Sequence, residues 1–104
     1  MSADATKLRK AAVERVLRGP GETPAAQRQA AFANEGVPEA ARALVDKVAN
    51  NAWKVTDEDV AAAKAAGLSD DEVFELVIAA AMGQATRQLD SALAALDAAT
   101  KETP

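Results

Sequence analysis

Two runs of carboxylates, Asp57-Glu58-Asp59 and Asp70-Asp71-Glu72, carry the residue types that acid–base or metal chemistry needs. Each follows a hydroxyl residue, Thr56 or Ser69. That is also the arrangement of a helix N-cap with negative charge loaded where the helix dipole is positive, and we read both runs as caps. Neither has the frame of an EF-hand loop, with its alternating ligands, sixth-position Gly and twelfth-position Glu. The Glu-x-x-His pairing of a di-iron bundle needs His, and the chain has none. A different chemistry is open to Gln84, Arg87, Gln88 and Ser91, which recur at helical spacing. An Arg facing a small pocket can clamp a carboxylate through its planar fork. Asp59 or Glu75 can then act as a base if burial raises its pKa. Against this stands a simpler role for Arg87, pairing with a carboxylate across an oligomer interface.

What is missing excludes more chemistry than what is present suggests. The chain has no Cys, no His and no Tyr, which removes thiol redox, disulfides, Ser-His-Asp and Cys-His catalysis and ordinary zinc sites from its own residues. No cofactor or metal is expected. The formal net charge of −4 and scattered basic residues argue against nucleic acid as a partner. The N-terminus lacks an apolar stretch of signal-peptide length, and no run approaches the roughly 20 apolar residues of a membrane span. A soluble, cytoplasmic protein with no membrane partner is the expectation.

The element that must position these residues is the stretch from Ser69 to about Ala99, which reads as one long helix. Ser69 and Glu72 form a capping box at its start. Residues Phe74, Ile78, Ala81, Met82, Ala85, Leu89, Ala92, Leu93 and Leu96 fall on one stripe, which must be core or interface. On the other face Val73, Leu76, Val77 and Ala80 lead into the polar Gln84, Arg87, Gln88 and Ser91, so the first half is apolar nearly all round and implies burial on both sides. Gly83 marks the changeover. A Gly inside a helix costs about 1 kcal/mol against Ala, so Gly83 either permits close approach of another backbone or ligand, or is merely tolerated.

The remaining chain divides at its Gly and Pro residues into four shorter helices. The first begins at Ser2 or Asp4 and ends at Arg18, before Gly19-Pro20-Gly21, with Leu8, Ala12, Val13, Val16 and Leu17 as its apolar stripe. Its Lys7, Arg9, Lys10, Arg15 and Arg18 form either a docking surface for an acidic partner or a solvated face. Thr23 and Pro24 open a second helix as N-cap and N1, ending at Asn34-Glu35-Gly36, with Phe32 its single large anchor and weak packing expected. Pro38 and Glu39 open a third, with Ala41, Leu44, Val45, Val48 and Ala52 on one face, reaching Trp53 or Lys54. Thr56 opens a fourth, which Gly67 closes ahead of the long helix, making an αα-hairpin. The tail from Thr100 is expected to fray.

This is an all-α single domain over 1–104: N-terminal helices in 1–36, a core in 37–99 and a tail in 100–104. Apolar residues make up 49% of the chain but aromatics only 3%, and alanine dominates. Alanine buries little area, so the monomer core is thin and an oligomer interface is expected to supplement it.

The pieces Ala65-Ala66-Gly67, Leu68-Ser69-Asp70-Asp71-Glu72-Val73 and the Ala- and Leu-rich helix after them resemble the carboxymuconolactone decarboxylase and alkylhydroperoxidase D (AhpD-like) superfamily. The match covers about 45 to 60 residues, with Val45 to Val55 as an extension. Redox members of that family carry Cys-x-x-Cys and a His on the preceding helix; counted back from Gly67, those places fall near Ala52, Val55 and Asp59, and none keeps the family's residue. The resemblance therefore implies the helical fold without the dithiol peroxidase chemistry. It also places Trp53 and Lys54 beside the vacated positions. Two functions follow as expectations. The first is a non-catalytic AhpD-like structural or binding subunit that self-assembles or pairs with a related subunit. The second is a decarboxylase-like lyase or isomerase acting on a small anionic substrate through Arg87, Lys54 and a carboxylate, Asp59 or Glu75. Trp53, Gly83, Gln84, Arg87, Gln88 and Ser91 are the interface or pocket candidates.

Overall fold

The computed structural model describes residues 3–101. Among them are five α-helices and one short 3-10 turn: α1 (Ala3–Arg18), α2 (Ala25–Ala33), α3 (Glu39–Asn51), the 3-10 turn Ala52–Lys54, α4 (Asp57–Ala65) and α5 (Asp70–Lys101). The all-α architecture matches the sequence reading. At 1.5 Å per residue α5 spans about 48 Å, and the other helices pack along it, α2 and α3 most extensively. The molecule is correspondingly elongated, 58 × 28 × 21 Å.

The expected caps at Thr56 and Ser69 are in place, and Thr56, like Ser69, forms a full capping box. Thr56 Oγ1 accepts from the Asp59 backbone N–H (3.3 Å), while an Asp59 carboxylate oxygen accepts from the Thr56 N–H (2.9 Å). The Glu72 N–H donates to Ser69 Oγ (3.1 Å), and Glu72 Oε1 accepts from the Ser69 N–H (3.0 Å). Between them Gly67 takes φ +113°, a value open to glycine, and closes the hairpin.

Other boundaries differ. Thr23 does not cap α2; Pro24 holds the N-cap position with no side-chain bond. Helix α3 stops at Asn51, and Ala52–Lys54 tightens into the 3-10 turn. The fraying expected from Thr100 does not begin there, because Thr100 and Lys101 remain helical: Thr100 Oγ1 donates back to the Leu96 and Asp97 carbonyls and Lys101 pairs with Asp97. A start at Ser2 and the end of the tail lie outside the described residues.

The core is built from small side chains. Ala31, Ala41, Ala49, Ala63, Ala79 and Ala80 are buried with Val37, Leu44, Val45, Val48, Val73 and Leu76. No aromatic joins them: Trp53 is 80% and Phe74 66% exposed, and Phe32 is half-buried. The first half of α5 is therefore buried on one side only, correcting the expectation of burial all round. Its packed side is Val73, Leu76, Ala79, Ala80 and Gly83; the stripe running from Phe74 to Leu96 is not core.

Small residues win the packed side because they let helices approach, as Gly83 demonstrates. A Cβ added there would lie 2.7 Å from the Phe32 carbonyl carbon and closer still to its oxygen. Gly83 thus admits the backbone of α2, which is why α2 packs tightly rather than weakly.

Candidate functional site

The C-terminal end of α2 explains where Arg87 goes. Asn34 takes the left-handed conformation (φ 53°), its N–H donating to the Ala31 carbonyl (3.1 Å) and the Glu35 N–H to the Ala30 carbonyl (3.0 Å). This Schellman pairing satisfies two of the last carbonyls and leaves that of Phe32 facing α5. Arg87 Nη1 donates to it at 2.7 Å, and Nη2 reaches Gln84 Oε1 at 3.3 Å. The guanidinium that a ligand clamp requires is instead fastening α2 to α5, one turn beyond Gly83. Arg87→Ala is expected to cost about 1 kcal/mol, one net hydrogen bond, read as a lower thermal midpoint.

The carboxylates are likewise committed. Glu75 reaches from α5 to the chain ahead of α2, its Oε2 accepting from the Glu22 N–H (2.8 Å) and its Oε1 from the Thr23 N–H (2.9 Å). Desolvation pushes its pKa up, but these backbone donors and the charge of Arg28 outweigh it, and the carboxyl titrates below its ordinary 4.5. Asp59 accepts from Lys47 Nζ through both oxygens, at 3.0 and 2.9 Å. That bond, with the Thr56 backbone, holds Asp59 below its ordinary 3.8. A general base at neutral pH needs the opposite shift, so neither fills that role.

The sign of the pH dependence follows. A carboxyl with a depressed folded pKa contributes stability that is fully present above its unfolded value and is lost as pH falls through the folded one. The chain should lose stability progressively below about pH 4.5, and Glu75→Gln should flatten that loss while lowering stability at neutral pH. Denaturation midpoints between pH 7 and pH 3 for the two chains check this; parallel curves would contradict it.

The interface and pocket candidates separate into two groups and one residue, Ser91, that belongs to neither. Trp53, Gln84 and Gln88 meet at an open groove of about 350 Å³ between the end of α3 and α5, with Val48, Ala49, Asn50, Ala52, Ala81 and Ala85. Lys54 lies with Nζ 4.8 Å from the Trp53 ring centroid, a cation–π contact on the surface. Ser91 is exposed and does not line the groove, and Arg87 and Gly83 face α2. The groove's polar lining is three amides, Asn50, Gln84 and Gln88, and an amide is neither an acid nor a base near neutral pH. Asp59 borders a separate groove between α3 and α4, and Glu75 a smaller cavity of about 190 Å³ beside Arg28 and Phe74. The proposed set Arg87, Lys54, Asp59 and Glu75 is therefore not brought together.

Sequence reasoning did not single out Lys47, the partner of Asp59, or Arg28, which is buried and donates from Nη1 to the Val16 carbonyl at 2.8 Å. Each reaches twelve residues along the chain into the neighbouring helix, beyond the three- or four-residue spacing that a helix pattern reveals. On α1, Arg9 pairs with Asp90 of α5 (3.5 Å) and Arg18 with Glu14 (3.4 Å). Two of the basic residues thus serve contacts within the chain. Among the described residues no group of three His, Cys, Asp or Glu side chains could hold a metal ion, and no helix is long and apolar enough to cross a membrane. No protein-family model, curated protein or solved structure matches the chain.

Proposed function

We propose that the chain is a non-catalytic structural subunit, an AhpD-like helical module that assembles with copies of itself through the uncovered face of α5. The surface left open carries this reading. The chain exposes 6863 Å², whereas a folded monomer of 10.7 kDa is expected to expose about 5,500 Å². The excess is larger than the roughly 800 Å² per partner of a standard interface. Among the described residues four large apolar side chains are exposed: Phe74 (66%) and Leu96 (61%) on α5, Trp53 (80%) on the 3-10 turn beside it and Leu8 (72%) on α1. The hairpin around Gly67, with its Ser69 cap, has the form that the AhpD-like resemblance implies.

An enzymatic reading has less support, because the groups it needs are spent on structure: Arg87 on Phe32, Glu75 on Glu22 and Thr23, Asp59 on Lys47. Sedimentation equilibrium at micromolar concentration tests the proposal. An assembly of two or more chains is expected, with Trp53 emission moving to shorter wavelength as concentration rises; a monomer throughout overturns it.

A further inference from the structure

Taking the chain as a self-assembling module, we infer that two copies pair through α5 in antiparallel orientation, across a two-fold axis at Ala85. The outward face of α5 reads Phe74, Ile78, Ala81, Ala85, Leu89, Ala92, Leu96, with spacings of 4, 3, 4, 4, 3 and 4; Ile78 and Leu89 are half-buried and the other five are exposed. This is two successive 11-residue repeats, whose 3.67 residues per turn stay close to a straight helix. The face therefore holds its line for about 33 Å.

The order of large and small residues along it is what selects the orientation. About Ala85 the antiparallel register sets Ile78 against the partner's Ala92, Ala81 against the partner's Leu89, and Phe74 against the partner's Leu96, with Ala85 meeting its own copy. Each large side chain in the middle of the seam faces an alanine, so the helices keep one close separation. A parallel pair would set Ile78 on Ile78 and Leu89 on Leu89, with Ala81 and Ala85 between them as gaps, which close packing penalises.

Charge agrees with size. Every charged side chain of α5 between Phe74 and Leu96 is engaged on the packed side: Glu75 with Glu22 and Thr23, Arg87 with Phe32, Asp90 with Arg9. None stands on the seam to be desolvated. Antiparallel pairing also opposes the two helix dipoles and keeps the acidic first turn, Asp70 and Asp71, away from its own copy, while Asp70 stays paired with Lys64 and Lys101 with Asp97 inside each chain. Parallel pairing would stack acid on acid. The Trp53 groove, which borders Ala81 and Ala85, flanks the seam at its midpoint.

Single-cysteine variants test this cleanly, because the chain has no cysteine of its own. Ala85 and Ala92 are both exposed, so neither change disturbs the core. Under mild oxidation Ala85→Cys should cross-link to itself, since the two-fold brings the pair within the roughly 4–7 Å between Cα atoms that a disulfide needs. Ala92→Cys alone should not, its two copies lying about 21 Å apart along the helices, yet it should cross-link when mixed with Ile78→Cys. Self-cross-linking of Ala92→Cys as fast as Ala85→Cys overturns the antiparallel register. Failure of all three reactions in a chain that still sediments as a dimer overturns the seam and leaves self-assembly standing. A monomer by sedimentation overturns both.

Discussion

Replacing Gly83 with Ala is expected to destabilise the chain by about 2 kcal/mol, although alanine is the better helix former. The gain in helix propensity is about 1 kcal/mol. Against it, the new Cβ would meet three backbone atoms of Phe32, including the Cα at 3.0 Å and the carbonyl carbon at 2.7 Å. Backbone cannot swing aside as a side chain does, so α2 must move off α5. That movement also stretches the 2.7 Å bond from Arg87 to the Phe32 carbonyl. The loss therefore couples two contacts, and the thermal midpoint at fixed concentration should fall by about 10 °C. A midpoint unchanged or raised in Gly83→Ala would mean that the two helices are not pressed together there.

The second large effect is on assembly and leaves the monomer fold alone. Ala85 is exposed, and substitutions at such positions usually change monomer stability by about 0.5 kcal/mol or less. Ala85→Arg puts a guanidinium at the centre of the apolar seam, facing its own copy across the two-fold. Like charges brought together at an interface cost several kcal/mol, so dimer affinity should fall by at least about 100-fold, or 2.7 kcal/mol. Helical content by circular dichroism should be unchanged. Sedimentation of both chains checks this; an Ala85→Arg chain that stays assembled places the interface elsewhere.

These two residues also mark how far the sequence was legible. The helix count, the caps at Thr56 and Ser69 and the turn at Gly67 are all local, set by residues three or four apart, and they were readable from order alone. The close approach at Gly83 was one of two readings, and only the backbone of α2 decides between them. Of the two faces of α5 expected to be buried, the one with Val73, Leu76 and Ala80 packs and the stripe from Phe74 does not, a choice that order alone does not make. Hydrophobicity ranks faces by side-chain size and so favours Phe74, Ile78, Leu89 and Leu96. The packed face instead takes Ala79, Ala80 and Gly83 beside Val73 and Leu76, because helices in close contact need small residues where their backbones approach.

The candidate site residues are dispersed for a related reason. Spacing places Gln84, Arg87, Gln88 and Ser91 near one another on a helix, but it does not say which neighbour each one meets. Arg87 points to α2 because the Schellman turn at Asn34 leaves the Phe32 carbonyl open there. Gln84 and Gln88 border Trp53 instead. Glu75 and the Glu22-Thr23 backbone lie more than fifty residues apart, and no periodicity links them.

Native mass spectrometry of the chain purified from its own host tests self-assembly through α5 with the fewest intervening steps. A species of twice the 10.7 kDa chain mass, containing this chain alone, is expected, and it should dissociate when Ala85 is replaced by Arg. A wild-type chain found only as a monomer would contradict it.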